Sequence, residues 1–575
     1  MSIENCLWLV VCFVALVLLR KVHIRLQLSR AKHPSLKGHS KWMRRISKQI
    51  TYFEYDQNQF FCSDKVPSEI ATNRRKGFES LQLKLASDSP DTIAFNESLA
   101  SSISDVLFTS MYRVPFPFRQ YLSKAMRFGS IVTETQGVKI KDIDDNWRFD
   151  LSGSYGVNVF GYDFYKDCMA KGFAKVEGLG PVLGPYHPLI RENVEILKDV
   201  SGLDEVSFHM SGTEAVMQAV RLARYHTGKS HLVRFCGAYH GWWDGVQPGI
   251  GNQRRVDDVY TLAEHSRASL KVLETRTDIA CVLINPLQGL HPNSDSASDS
   301  TLISSNRTAC FDRVAHSAWL QQVRDVCTRK NIVLIFDEVF TGFRLAYRGA
   351  QEYYAVQADI VTYGKTLGGG LPIGVVCGRA SLMKRYKPKQ PVHVSFARGT
   401  FNSHPYVLAA MNEFLKQVQQ DKYQAIYQRS DSLWNSRVER LNQRLSEADV
   451  PVKFANLQSV LTTLYTRPCR YNWMFQFYLR AEGLELSWVG SGRLIMSLNY
   501  SDEDFALVIE RIVRAGQKMQ IDDWWWQSST LSNKRIGQRF AKDMFIARFP
   551  MLSKLTLFKR NDAGSTVRGA APWSK

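Results

Sequence analysis

Lys365 stands in the run Tyr363-Gly364-Lys365-Thr366-Leu367-Gly368-Gly369-Gly370, directly after the apolar segment Ile360–Tyr363. An amine at the end of a buried strand, inside a glycine-rich turn, is placed where burial favours its neutral, nucleophilic form. A phosphate loop is excluded, because that motif needs Gly six positions before its Lys and residue 359 is Asp. Asp337 ends a second apolar segment, Ile332–Phe336, and a carboxylate there needs a cationic or hydrogen-bonding partner. Ser211-Gly212-Thr213 follow the segment Val206–Met210 and open a helix expected over 213–227. Free amides and the helix dipole make such a turn an anion site, and Gly212 admits close approach of a phosphate. Tyr239, in Tyr239-His240-Gly241, offers a flat ring at another loop. Each piece also has a plain reading: an N-cap at Ser211, a paired aspartate at 337, a solvated lysine at 365, a rim aromatic at 239.

The elements that must position these residues are legible in the apolar patterning. Short strands at Val206–His209, Ile279–Ile284, Ile332–Phe336 and Ile360–Tyr363 alternate with helices from about 140 to 390. That alternation predicts an α/β fold with a mostly parallel sheet covered on both faces, followed after 400 by a smaller α+β region. All four pieces then fall at the carboxyl ends of strands, where open α/β sheets bind ligands. Together they supply a phosphate cup, a carboxylate, a Schiff-base lysine and a ring cover, the set that pyridoxal 5'-phosphate requires. The ten cysteines contain no C-x-x-C, so neither a zinc site nor a disulfide framework is expected.

The segments SGTEA (211–215), AYHGWWDG (238–245), DEVFTGFR (337–344) and ADIVTYGKTLGGGLPIGVVCGR (358–379) resemble those of class III pyridoxal-phosphate aminotransferases. DEVFTGFR followed by RGAQ (348–351) is most similar to glutamate-1-semialdehyde 2,1-aminomutase. The resemblance covers roughly residues 115–520. It implies a fold-type I transferase and a homodimer with its sites at the interface. It further implies that Lys365 forms the internal aldimine and shuttles a proton, and that Asp337 keeps the pyridine nitrogen protonated. Tyr239 and Val339 would enclose the ring, with Ser211, Gly212 and Thr213 around the phosphate and Thr400 reaching the neighbouring subunit's phosphate. One departure is Asn285-Pro286-Leu287, where the class has Glu-Pro-Val. The implied reaction moves an amino group from a small-molecule donor to a carbonyl acceptor. Intramolecular transfer of the aminomutase kind is the alternative, and a non-catalytic scaffold of the same fold is a remote one.

The 575-residue chain carries a formal charge of +20, concentrated at its ends. Residues 1–50 hold ten Lys/Arg against Glu4 alone, and residues 527–575 hold ten against Asp543 and Asp562. A near-neutral body between basic ends does not fit a nucleic-acid enzyme, whose cations run through the folded part. Cys6–Leu19 is an unbroken apolar run followed by Arg20, Lys21 and Arg25. It reads as a retained anchor with the chain after Leu19 facing the cytoplasm, an interfacial helix or a signal segment being the alternatives. Trp524–Trp526 and the apolar positions of 536–549 suggest either a second membrane-surface contact or a helix packed on its own domain. The expected division is an anchor at 1–19, a basic region without a legible motif at 20–110, and a large cofactor domain at 111–395. A small domain at 396–523 and a basic amphipathic tail at 524–575 complete it.

Overall fold

The computed structural model describes residues 3–32, 40–106, 113–247, 251–254, 256–286, 305, 311–487 and 492–551. The polar tract 293–306, Leu287 and the end of the tail fall almost wholly outside these residues. A seven-stranded sheet forms the centre. Its spatial order is Glu205–His209, Gly374–Gly378, Ile360–Gly364, Val333–Asp337, Ile279–Ile284, His231–Phe235 and Val259–Leu262. Gly374–Gly378 runs antiparallel to both neighbours, and the other pairings are parallel. Every residue of Ile279–Ile284, Val333–Asp337 and Ile360–Gly364 is buried, as helices on both faces require. The same coverage explains why these strands read as continuous apolar runs rather than alternating ones.

The smaller region is built around an antiparallel sheet of Val452–Leu457, Val460–Tyr465 and Arg493–Ile495, with the helices Asp421–Glu447 and Asp502–Ile521 packed against each other beside it. The strand Trp147–Asp150 pairs in parallel with Leu484–Glu485, so the hairpin before the large sheet belongs with the C-terminal region. A backbone pairing between segments more than three hundred residues apart leaves no local trace in the sequence.

Residues 50–106 and 113–126 and the described part of the tail form a further layer, as the reading of the tail as a helix packed on its own domain expects. Trp524 and Trp525 are buried, and the helix Asn533–Arg548 turns Ile536, Phe540 and Ile546 inward. Phe60, Phe61 and Phe78 pack edge-on or tilted around Tyr121 and Trp524. Arg470 donates to both oxygens of Asp64 at 2.9 and 3.1 Å, and Arg539 reaches Asp64 at 3.1 Å. Ile536, Phe540 and Ile546 of the tail therefore face protein, while Phe545 and Phe549 stay exposed. Of the tail's basic residues, Arg539 pairs with Asp64 of the N-terminal layer.

The N-terminal helix runs from Ile3 to Ala31, without a break at Leu19. No Gly or Pro interrupts 20–31, and Arg, Lys, Leu and Gln carry the helix onward. It is long and apolar enough over Asn5–Ala31 to cross a bilayer, and its most apolar eighteen-residue stretch is unburied.

Candidate active site

Ser211 caps the helix Gly212–Thr227: its Oγ accepts from the Glu214 amide at 3.2 Å, while Glu214 Oε2 accepts from the Met210 amide at 2.9 Å. The plain reading of Ser211 is thus realised. It leaves the Gly212 and Thr213 amides as the open donors of the first turn, next to the positive end of the helix dipole. Gly212 has a second reason to be glycine. A Cβ there would stand 2.6 Å from Val339 Cγ1, and one at Gly364 would stand 3.3 Å from the same methyl. Gly212, Val339 and Gly364 therefore form one tightly closed wall.

Asp337, almost wholly buried, ends its strand with three donors around it. The Val339 amide and Thr362 Oγ1 each reach Oδ1 at 3.2 Å, and His240 Nδ1 lies 2.7 Å from Oδ2. Burial holds the His240 imidazole below its ordinary pKa against the pull of Asp337, and facing a carboxylate oxygen at 2.7 Å, Nδ1 is the donor. Its Nε2 has no partner among the described residues. This histidine was missed as a functional residue although it directly follows Tyr239. Nothing in the sequence pairs it with a carboxylate 97 positions away.

Lys365 occupies a left-handed backbone position, φ 49°. Its Nζ donates to the Tyr155 carbonyl at 2.8 Å and lies 4.7 Å from the centre of the Phe340 ring. Tyr155 and its neighbour Ser154 are left-handed too (φ 57° and 46°), a concentration of backbone strain of the kind that accompanies functional sites. Burial, and then the charge of Arg344, lowers the Lys365 amine to about 8, with Asp337 acting in the opposite direction. Arg344 is wholly buried and bonds to Ser459 Oγ and the Met496 carbonyl, both at 3.0 Å. Its guanidinium lies 5.2 Å from the Phe340 ring that also meets Lys365. Arg344 and Phe340 are further residues that spacing alone did not single out.

Glu338 explains why DEVFTGFR and RGAQ travel together. Its carboxylate accepts from the Ala350 and Gln351 amides at 2.6 and 3.2 Å, fixing the start of the helix Gly349–Tyr354 under the site. Tyr239 is 59% exposed at the mouth, and burial of its inner part followed by Asp337 raises its hydroxyl pKa. Thr400 is exposed. Its neighbour Gly399 lies against Asn402 and Glu214, so the 399–402 turn sits beside the first turn of the 212–227 helix of the same chain.

The fold thus brings Ser211, Gly212, Thr213, Tyr239, Asp337, Val339 and Lys365 to one end of the sheet. These residues fit pyridoxal 5'-phosphate: an open amide turn for a phosphate, a shielded carboxylate for a ring nitrogen, a half-buried amine for a carbonyl.

Residues 121–515 match the family model described as Aminotransferase class-III. A glutamate-1-semialdehyde 2,1-aminomutase of Methanocaldococcus jannaschii is 32% identical over 341 residues, covering 56% of this chain and 72% of its own. Among solved structures, a glutamate-1-semialdehyde-aminomutase from Pseudomonas aeruginosa PAO1 superposes with a TM-score of 0.62 at 18% identity, covering 78% of this chain and 99% of that one. A transaminase with PLP bound gives 0.58 at 23% identity, covering 74% and 99%. At such identities the structural likeness speaks for the fold.

Proposed function

Because this chain belongs to the class III aminotransferases, whose cofactor is pyridoxal 5'-phosphate, we propose that its chemistry runs at Lys365 and Asp337 and that its carbonyl acceptor is lipophilic or carrier-bound. The observation that carries the site is the partly buried Lys365 amine, 2.8 Å from the Tyr155 carbonyl, at the same strand ends as the His240–Asp337 pair. When bound, the cofactor supplies a carbonyl that exchanges the amino group and a ring that withdraws electrons. Asp337 holds the proton on the ring nitrogen, and His240 keeps Asp337 turned toward it. Lys365 Nζ would hold the group through its carbonyl and would carry the proton released at the substrate carbon. The Gly212 and Thr213 amides bind the phosphate, while Tyr239 and Val339 flank the ring and exclude water from the reacting face.

The acceptor class rests on the unburied apolar helix, which a small soluble metabolite does not call for. The helix spans the bilayer with the catalytic body on the cytoplasmic side, since Arg20, Lys21 and Arg25 follow its apolar run. Each methylene of a long-chain aldehyde or ketone buried at the site would add about 0.8 kcal/mol. Activity measured over acceptors of increasing chain length tests this: kcat/KM rises with length. A flat profile, or preference for a short dicarboxylate-like acceptor, excludes it.

Intramolecular transfer is the second reading, favoured by the aminomutase relative. Turnover of a single semialdehyde substrate without any external amino donor selects it. A homodimer is the expected assembly, and the exposed Val392, Val394, Phe396 and Phe401 support it. Mixing Lys365→Ala with Thr400→Ala chains tests both the dimer and Thr400. If Thr400 serves the neighbouring site, the mixed dimer regains one intact site. If it serves its own chain, no activity returns.

A further inference from the structure

The N-terminal helix is fused to the catalytic body. Its last two turns bury Ala31 and partly bury Ile24, Gln27 and Leu28, an i, i+3, i+4, i+7 face lying on the helix Arg267–Thr275. The Ala31 carbonyl accepts from the Ala263 amide at 2.8 Å and Ser269 Oγ at 3.3 Å, and Thr275 Oγ1 donates to Gln27 at 3.3 Å. The helix Ser40–Ser47 follows. It turns Met43, Arg44 and Ser47 toward protein and leaves Trp42, Arg45 and Ile46 exposed, with the Arg45 guanidinium 5.5 Å from the Trp42 ring centre. Arg44 donates to the carbonyls of Asn252 and Arg254 at 2.7 and 3.1 Å. Asn252 in turn bonds to the carbonyls of Asp244 and Gln247, both at 3.2 Å, in the segment that leads back to Tyr239.

We propose that the exposed Trp42–Ile46–Ile50 edge, ringed by Lys41, Arg45 and Lys48, is a second membrane contact that lies in the headgroup layer of an anionic leaflet. It works with the rooted N-terminal helix to hold the catalytic body in one orientation. This rests on the membrane reading above and deepens it. The occupant follows from length and charge. The fourteen apolar residues Cys6–Leu19 span about 21 Å, short of the roughly 30 Å hydrocarbon core, so the bilayer draws in the next turns while Arg20 and Lys21 snorkel. A span of about twenty residues from Asn5 ends near Arg25, which sets Ala31 only about 9 Å beyond the hydrocarbon edge. Ala31 is seated on the body, so the 40–50 segment comes to the level where tryptophan and basic side chains partition. No acidic residue occurs between Glu4 and Glu54, leaving the face purely cationic. Through Arg44 the same contact steadies the loop that carries Tyr239.

Forms of the full chain with one labelling cysteine, the buried cysteines kept and Cys→Ser placed at Cys310 and at whichever of the exposed Cys6, Cys12 and Cys62 is not labelled, test the proposal. An environment-sensitive fluorophore is placed at native Cys12, Trp42→Cys, Ile46→Cys or Leu507→Cys. Each protein is reconstituted into phosphatidylserine-containing vesicles with or without headgroup-nitroxide lipid, and retention of the cofactor's visible absorbance certifies folding. Labels at 42 and 46 should lose most of their emission to the nitroxide, while a label at 507, on an outer helix, keeps its own. Quenching at 12 with none at 42 and 46 overturns the second contact and leaves the anchor standing. Absence of quenching at 12 when the nitroxide is carried on the lipid acyl chain instead overturns the membrane reading itself. Equal emission at 42 and 46 in vesicles with and without nitroxide, but blue-shifted in both, assigns the edge to a second copy of the chain and also overturns the proposal.

Discussion

Lys365 has its amine lowered by burial and by Arg344, which gives two measurable signs. The neutral amine captures the cofactor, so the loading rate of cofactor-free protein should rise with pH and level off above about 8. Arg344→Gln removes a cation and should move that midpoint upward, whereas Arg344→Lys leaves it nearly in place. Stability should follow linkage: the unfolded chain binds a proton at Lys365 that the folded chain releases first, so this residue costs stability below about 8 and the cost fades as pH rises toward 10.5. Lys365→Met should therefore raise the melting temperature of cofactor-free protein at neutral pH while abolishing turnover. At the opposite pole, Asp337→Asn leaves the ring-nitrogen proton without its carboxylate. Preorganised electrostatic contacts of this kind are worth about 3–4 kcal/mol, so kcat should fall by two to three orders of magnitude with cofactor retained. A mutant within tenfold of the parent would contradict the role.

At the scale of elements, the first turn of the Gly212–Thr227 helix is held against the strand end by the contact between Gly212 and Val339. Gly212→Ala puts a methyl 2.6 Å from Val339 Cγ1, so either the helix start or the ring wall must shift. Cofactor affinity should fall by about tenfold or more, since phosphate recognition at a helix start depends on amide positions. Val339→Ala, combined with Gly212→Ala, should restore much of it, which an equilibrium titration of the visible absorbance would read. Gly374 is a harsher case: a Cβ there would lie 2.0 Å from the Ser211 carbonyl oxygen, a backbone atom. Gly374→Ala is expected to lower soluble yield rather than affinity alone.

Over the whole molecule, the tail and the N-terminal layer are structural. Ending the chain at residue 523 removes the buried Trp524 and Trp525 and uncovers the aromatic cluster around Phe60 and Phe61. The truncated protein should be strongly destabilised, by about 3–5 kcal/mol for one such tryptophan, instead of merely losing membrane affinity. Differential scanning calorimetry distinguishes the outcomes. Although burial works to raise it, Arg470 and Arg539 hold the Asp64 carboxyl below its ordinary pKa. The stabilisation is present above the ordinary aspartate range and is lost as pH falls through the lowered value. Asp64→Ala strands the buried Arg470 guanidinium and should cost about 3–5 kcal/mol in urea denaturation near neutral pH.

The sequence by itself determined the parallel sheet, the cofactor and the residues at its strand ends. Each rests on a local pattern: two-faced burial writes continuous apolar strands, and a helix start writes Ser-Gly-Thr. Only the tertiary structure decided what couples those ends. His240 reaches Asp337, Phe340 meets both Lys365 and Arg344, and Glu338 fixes the start of the helix Gly349–Tyr354, all through contacts that depend on packing. It likewise decided the fate of the two apolar ends, because Ile536, Phe540 and Ile546 of the tail are covered by protein while Leu7, Trp8, Phe13 and Leu19 of the N-terminal helix are exposed. A helical stripe specifies that a face must be covered. What covers it depends on surfaces supplied by segments hundreds of residues away, and those exist only once the chain has folded.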